Sequence, residues 1–203
     1  MVPDSFSVSL FSKIAPGGVT TSDRRTISTE MVGAARWMAL MLAHAKHKSN
    51  IPAKKREHWH VAELGQYAAL PYVQLTGELR ICLITSRETK RWVIPKGWPK
   101  ANLRPHELAA LEAVEEAGLL GEIAIEPIGT YSYRKQLPRS SSVVCEVAVF
   151  PLLVRAQQVH WREERERTLA WFSPMEAAQL VLEPDLGRLL AAMPEWARAR
   201  SET

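Results

Sequence analysis

The chain has 203 residues, 46% of them hydrophobic, enough for one globular domain with a sizeable core and some extension beyond it. Its net charge of +4 is uneven, because residues 1–60 hold nine Lys or Arg against four acids while the remainder is close to neutral. Residues 34–43, the longest apolar run near the N-terminus, are interrupted by Arg36 and too short for a membrane span, and Cys82 and Cys145 show neither Cys-x-x-Cys spacing nor a disulfide framework, which excludes the membrane-spanning and disulfide-stapled classes.

Two distant cysteines in strand-like stretches read as buried thiols of a reducing compartment, and no signal-peptide pattern is present, so a cytoplasmic location is expected. Residues 1–61 form a basic extension. Its first 29 residues are rich in Ser and Thr, contain Pro16-Gly17-Gly18 and lack a sustained period, the marks of a tail. Residues 30–46 allow a helix with Trp37, Met38, Leu40, Met41 and Leu42 apolar, through which an oligomer could form, although the oligomeric state is left open. Residues 44–60 gather Lys and His around Trp59; this suits nucleic acid, an anionic membrane or an anionic substrate, but a solvated linker is the favoured reading. His58 and His60 alternate as on a strand, yet no further ligand joins them.

A single domain is expected over residues 62–194, with a polar end at 195–203. Residues 66–75 and 79–85 read as a hairpin turning at Thr76-Gly77-Glu78, with Ser86 and Arg87 at its far end, where a loop residue can face a ligand. Trp92, Val93 and Ile94 form a short strand, and a turn rich in Pro, Gly and Lys follows. Pro105 in the first turn and Gly118 just past the end then bound a helix. On its wheel Ala110, Leu111, Ala113, Val114 and Ala117 form an apolar face, opposite Glu112, Glu115 and Glu116. Like charges at these spacings repel, and no Lys or Arg lies three or four residues away, so neutralisation must come from outside the helix. A hard divalent cation fits three carboxylates, and a solvated acidic face is the alternative. Six basic residues between Arg87 and Arg104, against the one acid Glu88, favour the cation, because phosphate chemistry needs positive charge to hold the anion and carboxylates to hold the metal.

Beyond the helix, residues 122–133 and 143–154 read as strands joined by a basic loop containing Arg134, Lys135 and Arg139, either a phosphate-binding loop or a solvated hairpin. The charged run at 161–167 precedes a strand at 168–172. Ser173-Pro174-Met175-Glu176 spells a capping box that opens a helix to about residue 183, and Pro184 separates it from a short helix near residues 186–193.

The stretch from Gly97 to Leu119 resembles the Nudix box, with its Glu-Glu-x-Gly-apolar ending at Glu115, Glu116, Ala117, Gly118 and Leu119, and Glu112 at the glutamate of the Arg-Glu pair. Two positions depart from the pattern: Leu103 stands for the first glutamate and Leu111 for the arginine. The flanking SRETKRWVIPKGW is similar to segments of the diphosphoinositol polyphosphate phosphohydrolase branch. The resemblance implies an α/β/α sandwich with a mixed sheet between helices, a Mg²⁺- or Mn²⁺-dependent hydrolase of phosphoanhydrides, and a polyphosphorylated small-molecule substrate such as a diphosphoinositol or dinucleoside polyphosphate. It implies Glu112, Glu115 and Glu116 as catalytic metal ligands, with Gly97 a further metal contact. Ser86, Arg87, Lys96, Arg134, Lys135 and Arg139 would bind substrate, and one of Glu163, Glu164 and Glu166 could add a carboxylate. The two leucines motivate the alternative of a non-catalytic Nudix domain that binds a phosphorylated ligand, or nucleic acid through the basic extension.

Overall fold

A computed structural model describes residues 65–75, 77–136 and 142–201. The basic extension with its expected helix, and Arg139, lie outside the described residues. The elements are β1 (Gly65–Leu75), β2 (Glu78–Thr85), β3 (Trp92–Val93), β4 (Lys96–Gly97), α1 (Pro105–Ala117), β5 (Leu119–Ile123), β6 (Gly129–Gln136), β7 (Ser142–Gln157), β8 (Leu169–Phe172), α2 (Pro174–Leu180) and α3 (Pro184–Ser201).

The strands form one mixed sheet in which β3, β2, β1, β7 and β5 follow in order, while β4 pairs with β1, β6 with β7 and β8 with β2. Only the β1–β7 pair among them is parallel. Alternation along β1 gives the layers. Ala68, Leu70 and Tyr72 point into a core with Ala177, Val181, Leu186, Leu190 and Met193 of the C-terminal segment. The intervening face meets α1, where the His106 ring lies 6.4 Å from Phe150, itself edge-on to Tyr67. The expected α/β architecture, a mixed sheet between helices, is therefore the one observed.

Several local expectations change. The run read as one strand from residue 122 to 133 is two, because Pro127 and Gly129 break it and both pieces pair with different parts of β7. The second helix stops at Leu180, where Val181 bridges to Trp92 in extended conformation. The last helix does not end near residue 193 but runs through Pro194 to Ser201. Leu186, Leu190, Met193 and Ala197 keep one stripe buried across the proline, and Trp196 packs edge-on against Tyr72 at 6.0 Å, so tertiary contact outweighs the missing N–H. Cys82 and Cys145 are both buried and unpaired thiols. No helix among the described residues is long and apolar enough to cross a membrane.

Candidate active site

Two neighbours compete for one edge of β1. Its C-terminal part pairs with β2 at Tyr72 to Leu75, and its N-terminal part pairs with β4, Tyr67 opposite Gly97 and Ala68 opposite Lys96. The Ala69 N–H donates to the Pro95 carbonyl at 3.0 Å, which anchors the approach to β4. This fixes the Lys96–Gly97 backbone beside α1. The helix begins at Pro105, with the Arg104 N–H donating to Glu107 Oε2 at 2.8 Å, and ends at Gly118 with φ 68° and ψ 15°, as its sequence signals require.

The expected division of the helix into an apolar face and an opposite acidic one is corrected. Ala109, Ala113 and Ala117 are fully buried, while Leu111 and Val114 are only half-buried, and Glu112 and Glu116 are 7% and 8% exposed. Small alanines let the helix sit close to the sheet, and the wheel turns so that two carboxylates face inward beside β4. Buried carboxylates need donors. Glu116 Oε2 accepts from the Lys96 N–H at 3.1 Å. At Gly97 an added Cβ would stand 2.3 Å from Glu112 Cδ and Oε1, so only glycine lets that carboxylate lie against the backbone.

Cations from outside the helix complete the compensation, as its lack of internal partners demands. Lys100 Nζ lies 2.8 Å from Glu112 Oε1 and 3.4 Å from Glu115 Oε2, and Arg162 Nη1 lies 2.9 Å from Glu115 Oε2. Arg167 pairs with Glu116 Oε1 through Nη2, with Glu163 Oε2 through Nε at 2.7 Å, and with the Thr85 carbonyl through Nη1 at 3.0 Å. Burial pushes the Glu116 carboxyl up to about 7, against the pull of Arg167 and Lys96 toward the ionised form. Burial also draws the Lys96 ammonium below its ordinary range, with Glu116 opposing. For Lys100 desolvation acts downward too, but the hydrogen bond and charge of Glu112 raise it overall.

The remaining expected residues divide. Arg87 is exposed and its Nη1 lies 3.7 Å from both Glu163 Oε1 and Glu166 Oε2, at the margin of the carboxylate cluster. Ser86 instead closes its own turn, its Oγ 2.7 Å from Thr89 Oγ1 and its N–H donating to the Arg91 carbonyl at 2.8 Å. Lys96 Nζ sits 5.5 Å from the centroid of the Tyr133 ring, and Lys135 Nζ 4.9 Å from that of Trp98, the residue after Gly97. Arg134 and Lys135 lie within β6, opposite Val144 and Val143, rather than in the expected connecting loop, because the strand pairing continues to Gln136. Among the loop glutamates, Glu164 pairs with His160 and Glu166 is half-exposed; Glu163, with its side chain 13% exposed, is the one drawn inward. Arg162 and Arg167 escape sequence reasoning because alternating charges look like a solvated surface. Their one local signal is the four-residue spacing from Glu163 to Arg167.

Among the described residues no three His, Cys, Asp or Glu side chains converge as a ready-made ligand set. What fits a hard divalent cation is the donor chemistry, three carboxylates on one helix, and the Gly97 cradle that a Cβ would fill. Lys100 and Arg162 would have to yield their carboxylate contacts to such an ion.

No family model matches the chain. It is 30% identical over 116 residues to Nudix hydrolase 13, mitochondrial, of Arabidopsis thaliana, covering 53% of this chain and 56% of that one. It is 28% identical over 140 residues to Nudix hydrolase 12, mitochondrial, of the same plant, covering 64% and 68% respectively. Among solved structures it is similar to an Ap4A hydrolase of C. elegans, with TM-score 0.49 and 15% identity, over 66% of this chain and 98% of that one. The chain spans 56% and 60% of the first two curated relatives, a little over half of each, and what it is similar to in sequence are Nudix hydrolases.

Proposed function

We propose that this chain is a Nudix-type pyrophosphohydrolase that uses Mg²⁺ or Mn²⁺ to cleave a phosphoanhydride bond in a highly phosphorylated small molecule. The observation that carries this reading is the seating of Glu112 and Glu116, two buried carboxylates of one helix, against the Lys96–Gly97 backbone, with cations from separate loops around them. Glu112, Glu115 and Glu116 would hold the metal, with Gly97 leaving room at Glu112. Bound there, such an ion supplies Lewis-acid activation of the phosphate and of the attacking water. The chain's own cations do the rest. Lys96, Lys135 and Arg87 hold the polyphosphate and stabilise the charge that develops on the leaving phosphate. A diphosphoinositol polyphosphate or a dinucleoside polyphosphate suits this charge. The reduced, buried cysteines suit a reducing compartment such as the cytoplasm.

A second reading has its own observation: Lys100, Arg162 and Arg167 already match the three helix carboxylates. With Leu103 and Leu111 in place of polar residues, that pattern would suit a non-catalytic domain retained to bind a phosphorylated ligand. Phosphate release from a panel of diphosphoinositol, dinucleoside and nucleoside polyphosphates, with Mg²⁺, Mn²⁺ or EDTA, separates the two. Metal-dependent turnover that Glu116→Gln lowers by about 1,000-fold supports the hydrolase. Ligand binding with no turnover on any substrate supports the second reading.

A further inference from the structure

We infer that Arg167 is the positioning residue of this site, fixing Glu116 and Glu163 from the loop between β7 and β8 in place of the arginine absent at position 111; the inference rests on the hydrolase reading above. The helix cannot orient Glu116 by itself, because the residue one turn before it is Glu112 and the one before that is Leu108. Leu111, half-buried, offers no donor. Arg167 offers all three of its guanidinium nitrogens in one plane. Nη2 goes to Glu116 on α1, Nε to Glu163 in its own loop, and Nη1 to the Thr85 carbonyl at the end of β2. Its side chain is 8% exposed, so these bonds are shielded from water.

The loop that carries it is itself held to the helix. The Gln158 N–H donates to the Gly118 carbonyl at 2.8 Å and the Glu163 N–H to the Glu115 carbonyl at 3.2 Å. Thr168 closes the other end, its N–H donating to Thr85 Oγ1 at 2.9 Å. Arg167 thus ties α1 and the end of β2 to its own loop, through two carboxylates and a carbonyl. A lysine could match the charge but not three directions at once. The Lys96 N–H reaches the other oxygen of Glu116, so both oxygens are assigned and the carboxylate has one orientation.

The test compares wild type with Arg167→Lys in the full chain. Arg167→Ala strips two enclosed carboxylates of their partner and is expected to unfold more readily, so the lysine variant, folded by circular dichroism, decides. Expected is a fall in kcat of roughly 30- to 100-fold with KM within about twofold, since misplacing a reacting group by about an ångström has that effect on turnover alone. A second readout needs no activity. In ¹⁵N spectra of the metal-free chain, an Arg Nε–H signal that vanishes in Arg167→Lys should be slow to exchange and should shift in Glu116→Gln but not in Glu122→Gln, a surface control. Wild-type kcat in folded Arg167→Lys, or an Arg167 signal indifferent to Glu116→Gln, overturns the inference. If the wild-type chain hydrolyses nothing, the hydrolase reading alone falls and the spectrum still decides whether Arg167 holds Glu116.

Discussion

Glu116 combines two opposed demands, since a carboxylate that binds positive charge should be ionised while burial favours its neutral form. Here burial dominates and holds the group at about 7, against an ordinary value of 4.5. The consequence for stability has a definite sign. Below pH 4.5 the group is protonated whether the chain is folded or not; between 4.5 and about 7 the folded chain binds the proton more tightly, so stability falls as pH rises; above 7 the loss is complete. A shift of this size corresponds to roughly 3 kcal/mol. Glu116→Gln removes the titration and leaves any loss of the Arg167 pairing as an offset independent of pH. In EDTA, urea unfolding should therefore show the variant gaining on wild type by about 3 kcal/mol from acid to neutral pH. Parallel stability curves would refute the burial argument. The helix wheel sets the glutamates opposite the apolar face and gives no sign that two of them are buried. Leucine and valine weigh heavily in an apolar moment because they are large, but the close fit to the sheet follows the small alanines, which such a weighting undervalues.

Elements whose signals are local came through in the sequence: the β1–β2 hairpin with its turn near Gly77, the bounds of α1 at Pro105 and Gly118, and the Ser173 capping box. Features decided by distant contact did not. The last helix is expected near residues 186–193 with a polar end after it, yet the buried stripe of α3 continues past Pro194. The run at 161–167 is expected to offer one carboxylate at most, with most of its glutamates on the surface, yet it also packs on the end of α1 and supplies Arg162 and Arg167. Gly118 shows how a local signal and a distant contact coincide. Its φ of 68° favours glycine as a helix cap, and an added Cβ would also stand 2.7 Å from Trp161 Cε3 in that same loop. A ring is less able to yield than the end of a flexible chain. Gly118→Ala should therefore lower unfolding stability by about 2–3 kcal/mol, combining left-handed backbone strain with overpacking. It should also reduce turnover, because displacing Trp161 displaces the loop that holds Glu115 and Glu116. A urea midpoint equal to wild type would show that the loop is not seated on the helix as described.

The sheet gathers the cluster from separate parts of the chain: β4 brings Lys96 and Gly97, α1 brings Glu112, Glu115 and Glu116, and the β7–β8 loop brings Arg162 and Arg167. Such a balance of charges permits two outcomes when a divalent ion is offered. If Glu112 and Glu115 exchange Lys100 and Arg162 for the ion while Arg167 keeps its hold on Glu116, binding occurs only in the folded chain, because the extended chain does not hold Gly97 against Glu112. Linkage then stabilises the fold by about 2.7 kcal/mol at an ion concentration 100 times the dissociation constant, which for a domain of this size is a rise in Tm of about 5–10 °C. The rise should be reversed by EDTA and abolished in Glu116→Gln, and Ca²⁺, larger and held at longer distances, should give a different shift from Mg²⁺. If no divalent ion moves Tm in wild type, the internal cations have replaced the metal outright. The same helix then serves to keep a basic surface ordered for an anionic ligand, and the non-catalytic reading prevails. Melting the chain with Mg²⁺, Mn²⁺, Ca²⁺ or EDTA therefore tests the metal before any substrate is known.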